Sequence, residues 1–123
     1  MTGIAKGFFM TAIAYGILGL GLGLSMAITN DHGQMPTHAH IMVVGWLSFS
    51  VFGFFYHLFA DSVSQLAAAI HFWLAQISLV GLIAGLLLVY SGRPDAEPIA
   101  AISAIAYAAS FILFAIIAVK STR

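Results

Sequence analysis

Of the 123 residues, 62% are hydrophobic and only 7% charged, which leaves far too little polar surface for a water-soluble domain of this size. The formal net charge is zero and no basic stretch occurs, so nucleic acid is excluded as a partner, and the bilayer itself is the expected one. Cysteine is absent, which removes disulfides, iron-sulfur clusters and thiolate metal sites.

Four apolar stretches of about 20 residues, the length needed to cross the hydrocarbon core, fill the chain. They are predicted near Gly7 to Ile28, His38 to Phe59, Leu66 to Tyr90 and Ile99 to Val119. Runs such as Gly81 to Val89 are apolar on every side, so they read as helices and not as the alternating strands of a barrel. The first stretch follows Lys6 like a signal peptide, but its length and its direct run into a second span read as a mature helix. Short links carry the breakers: Asn30 to Gly33 with Pro36, a turn around Asp61, and Ser91 to Pro94 with Pro98. The expected fold is therefore all-α, a single domain of four antiparallel transmembrane helices. Lys6, Lys120 and Arg123 gather at one end against Arg93 at the other, so both termini are expected to be cytoplasmic. The expected location is a bacterial inner membrane.

In the first helix, Gly19 and Gly23 form a small-xxx-small spacing, as do Gly81 and Gly85 in the third. Such flat faces serve close helix packing and also suit a flat macrocycle. Ionisable side chains inside spans are costly, and here they are almost all histidines. His38 and His40 open the second helix, and a separation of two residues turns them about 200° apart. They cannot clasp one ion from a regular helix. Either they serve two sites, or one binds a cofactor while the other meets water, or both rest in the headgroup zone, where histidine costs little. Thr37 and Pro36 suit a helix start just before them.

His57 comes 17 residues after His40, roughly 25 Å along a helix. It shares a face with Asp61, and His71 lies early in the third helix, so these three are candidates for a metal or proton-uptake site at the cytoplasmic end. Interfacial histidines beside a helix-end aspartate are the plainer reading. Gln65 and Gln76 are expected to tie helices together. No nucleophile with a base and no carboxylate pair occurs. A transporter or channel is the weaker class, because the spans lack broken helices and intramembrane carboxylates.

The stretch Thr37-His38-Ala39-His40-Ile41-Met42-Val43-Val44-Gly45-Trp46, running on to Phe52-Gly53-Phe54-Phe55-Tyr56-His57, resembles the heme-binding helices of the catalytic subunit of heme-copper oxidases and nitric oxide reductases. Ile70 to Leu74 is similar to the entry of that family's third helix, and the glycine-rich first helix also fits. That subunit arranges twelve helices as three arcs of four. The resemblance implies that this chain is one such arc and that a homotrimer rebuilds the ring, a closed cyclic assembly. It further implies that His38 of one protomer and His40 of its neighbour are axial ligands of a b-type heme. The implied function is that of a membrane cytochrome b acting in electron transfer with a respiratory-chain redox partner, or in diatomic gas binding. The family's adjacent His-His pair, His-x-x-x-Tyr pattern and intramembrane glutamates are missing, which puts oxidase activity in doubt. Imidazoles around a threefold axis would also suit copper or zinc, and the alternative is a non-catalytic membrane subunit or copper/zinc-binding module of a respiratory complex.

Overall fold

The computed structural model describes residues 1–123 and is all-helical. Four helices are long and apolar enough to cross a membrane: α1 (Gly3–Thr29), α2 (Met35–Leu58), α3 (Gln65–Val89) and α4 (Glu97–Ser121). Each matches a predicted span. α1 begins four residues earlier than expected and α2 three, because Thr2 and Gln34 already supply extended or turn backbone before the first helical residue. Asn30 ends α1 in the left-handed conformation, which asparagine tolerates better than most residues. Ser64 starts α3 by accepting the Ala67 N–H. Short 3₁₀ turns at Ala60–Ser62 and Pro94–Ala96 complete the links.

Two pairs form the bundle, α1 along α2 and α3 along α4. Glycine decides both. Gly16, Gly19 and Gly23 of α1 receive Trp46, Met42 with Ile41, and His38 in turn, and Gly45 of α2 lies against Tyr15. On the other pair, Gly81 faces Ser103 and Gly85 faces the backbone of Ala100. Both small-xxx-small faces are thus helix contacts.

α2 is not a regular helix. Ile41–Leu47 is π-helical, between the α-helical segments Met35–His40 and Ser48–Leu58. Its buried positions Thr37, Ile41, Gly45 and Phe49 recur every four residues. In a helix of 3.6 residues per turn such a row drifts about 40° per step and would leave its partner. The wider π turns hold the row on one side, where Gly45 and Phe49 meet Tyr15. Ser48 Oγ donates to the Val43 carbonyl at 2.8 Å within this segment.

The pairs lock through an aromatic core. Phe8 of α1 meets Phe49 and Phe52 of α2 edge-on at 5.1 and 5.3 Å, and Phe72 of α3 at 5.0 Å. Phe114 of α4 reaches Phe52 at 4.5 Å. Gln76 of α3 donates to Thr11 Oγ1 of α1 at 2.7 Å, so it ties helices as expected. Gln76→Leu is expected to cost about 0.5–1 kcal/mol, the usual worth of one such bond in a bilayer, measurable by unfolding in mixed micelles. Outside, Ile17, Leu20 and Leu24 of α1, Ile77 of α3 and Ile102 and Ile105 of α4 are exposed, a surface compatible with contact to a lipid bilayer.

The bundle has two distinct ends. Thr2, Ser62 and Ser121 mark the terminal end, where Ser121 Oγ donates to the Ser62 carbonyl. Gln34, His38, His40 and Ser91 mark the histidine end.

Candidate functional site

The histidine end is built on Pro36 and Gln34. Proline occupies the first turn of α2, where its missing N–H costs nothing. Gln34 reaches across to α3, donating from Nε2 to the Leu87 carbonyl (3.1 Å) and Ser91 Oγ (2.9 Å), and its Oε1 accepts from the buried Thr37 hydroxyl at 2.6 Å. The start of α2 is therefore clamped to the end of α3. Sequence reasoning missed this clamp, since a glutamine in a loop gives no spacing signal.

From that clamped turn the triplet projects to two sides, as a separation of two residues on an α-helical segment demands. His38 leans on α1. Its Nδ1–H donates to the Gly19 carbonyl at 2.7 Å, and its ring covers Gly23, where an added Cβ would come within 2.8 Å of Cε1. One turn further along the same side lies a groove of about 360 Å³, lined by Ile13, Gly16, Ile17, Leu20, Met42 and Trp46. His40 faces the other pair. Its Nδ1–H donates to the Pro36 carbonyl at 2.7 Å. It opens onto a groove of about 340 Å³ between α3 and α4, whose walls include Leu82, Leu86, Ala100, Ala101 and Ala104, with Tyr90 and Glu97 at the edge.

The chemical consequence is shared. A carbonyl oxygen only accepts, so both Nδ1 atoms carry a proton, and in the neutral form of each ring the lone pair lies on Nε2. That is the tautomer and orientation in which imidazole binds a metal, with the carbonyl raising ligand basicity from behind. Both rings are half-buried. The donor set fits heme iron: imidazoles fixed in rotation near apolar grooves, of which the one at His40 has a wall of alanines, Ala100, Ala101 and Ala104, that leaves room for a flat ring.

The remaining histidines divide differently. His32 and His57 are exposed, and Asp61 is exposed on its 3₁₀ turn. His71 is fully buried, with Nδ1 bonded to the Tyr56 hydroxyl at 2.8 Å. The candidate grouping of His57, Asp61 and His71 around a metal does not form, and no group of three metal-ligating side chains is present in the chain. The physical reason is rotation: His57 directly follows Tyr56, whose side chain takes the core-facing position, so the next residue is turned about 100° away. Gln65 also departs from expectation, lining a cavity at the terminal end where it was expected to bridge helices.

No family model, no curated protein and no solved structure matches this chain.

Proposed function

We propose that this chain is a membrane b-type cytochrome whose heme is shared between copies, with His38 of one protomer and His40 of the next as the two axial ligands. One observation carries the reading: both imidazoles are held at Nδ1 by backbone carbonyls, on opposite flanks of one helix. Within a single chain those two imidazoles serve two sites, so a bis-histidine centre requires a second copy.

The two flanks are different surfaces, one on the α1/α2 side and one between α3 and α4. An interface that joins unlike surfaces is heterologous, and it must close into a ring to avoid an open filament. Three antiparallel four-helix protomers, with both termini cytoplasmic, close such a ring and match the resemblance of the His38 to His57 stretch to the twelve-helix oxidase subunit. In this arrangement Trp46 and Met42 of one copy and the alanine-lined groove of its neighbour flank the cofactor. His38 and His40 would hold the heme, which would supply a one-electron redox centre. The chain's own residues orient the ligands, exclude water and set the spacing between protomers.

Native mass spectrometry of the heme-loaded protein tests the shared geometry. Three chains with bound heme are expected, and heme loss should accompany subunit dissociation. A monomer that retains heme would overturn the proposal.

A further inference from the structure

His71 is a second polar centre, remote from the triplet and independent of any heme. Its imidazole is fully buried in α3 near the terminal end. Three phenylalanines from three helices box it in: Phe8 at 5.1 Å, Phe52 at 4.7 Å and Phe114, stacked, at 5.4 Å. Tyr56 completes the shell and is the only titratable group among these ring neighbours. α1 and α4 offer only phenylalanine. Nδ1 is bonded to the Tyr56 hydroxyl, whereas Nε2 has no partner at all. An unpaired buried nitrogen costs roughly 1–3 kcal/mol, more than a structural hydrogen bond between α2 and α3 returns. A leucine or phenylalanine would fill this box without that cost.

Tyr56 also lines a cavity of about 100 Å³ at the terminal end, whose walls include Thr2, Gly3, Gln65 and Ala68. That space has room for several waters, each needing roughly 30 Å³, and Thr2 and Gln65 supply polar partners. Tyr56 therefore stands between this cavity and the imidazole, with phenylalanines beyond. We infer that Tyr56 and His71 form a one-sided proton site, in which the Tyr56 hydroxyl relays protons between water at the terminal end and the buried imidazole. The step balances with one excess proton from the acidified bulk: the Tyr56 O–H proton moves to Nδ1 as a hydronium ion at the cavity delivers its proton to Oη and becomes water, leaving a neutral phenol and an imidazolium. The reverse step returns the proton to the same side, because the phenylalanine box offers no onward acceptor.

The test uses the full chain, labelled with ¹⁵N-histidine, in lipid nanodiscs. Ring-nitrogen signals of His71, identified by their loss in His71→Phe, are followed after a step from about pH 7 to more acidic buffer. The parent is expected to shift to the imidazolium pattern while circular dichroism stays helical. Tyr56→Phe removes the relay oxygen, and Ala68→Val narrows the cavity while keeping both the phenol and the imidazole. Each should slow uptake by about tenfold or more, since a positioned acid-base group commonly contributes at least that much. A merely structural hydrogen bond would leave the rate unchanged in the Ala68→Val protein. The inference is overturned if His71 takes up no proton while the bundle stays folded, or if Ala68→Val protonates at the parent rate. Should Tyr56→Phe fail to fold, Ala68→Val decides alone.

Discussion

Replacing either His38 or His40 by alanine is expected to remove the six-coordinate heme spectrum, with heme affinity falling on the order of 100-fold or more. Disturbing even the partners behind a metal-bound histidine commonly costs 10–100-fold, and here the ligand itself is lost. The effect should be equal for the two positions. Each ring is held by one carbonyl, Gly19 for His38 and Pro36 for His40, so neither is a spare for the other. His32→Ala and His57→Ala are the controls, because both side chains are exposed and neither belongs to the pinned pair. Added imidazole should restore six-coordination to the alanine variants if the polypeptide ring is intact. A spectrum unchanged in both His38→Ala and His40→Ala would move the ligands elsewhere.

Gly85→Ala is the second large expected effect. An added Cβ would lie 2.6 Å from the Ala100 amide nitrogen and 2.8 Å from its Cα, and backbone cannot swing aside as a side chain does. α3 and α4 must part, at about 1–3 kcal/mol for forced overpacking. Because Ala100 is also a wall of the groove onto which His40 opens, heme occupancy should fall together with stability. Gly21→Ala is the contrast. Nothing lies within 4 Å of its added methyl, so helix propensity alone acts and stability should hold or rise by up to about 1 kcal/mol. Unfolding in mixed micelles, read by circular dichroism, separates the two variants.

These two predictions rest on different layers of the sequence. Span number and approximate bounds were legible because apolar length is a strong signal, and each predicted stretch recurs as a helix within a few residues at either end. The opposite facing of His38 and His40 was legible too, since Met35–His40 is ordinary α-helix and rotation per residue is fixed. The helix geometry just beyond His40 was not. The π-helical turns of Ile41–Leu47 arise from fitting Gly45 and Phe49 against Tyr15, a tertiary contact that no local pattern announces. Gln34 clamping α2 to α3 is equally non-local, joining residues more than fifty positions apart. His71 was visible as an intramembrane ionisable group. Its partner was not legible, because the sequence reading grouped it with His57 and Asp61, whereas the phenol of Tyr56 is brought to it by tertiary packing. The carbonyls behind both triplet rings lay beyond sequence reading, and they fix the orientation of two histidines at a helix start.

The most direct test of the central claim is the absorption spectrum of the purified protein, oxidised and then reduced with dithionite. Sharp reduced bands of a six-coordinate b-type heme are the predicted result. A colourless preparation from heme-replete cells would contradict the account.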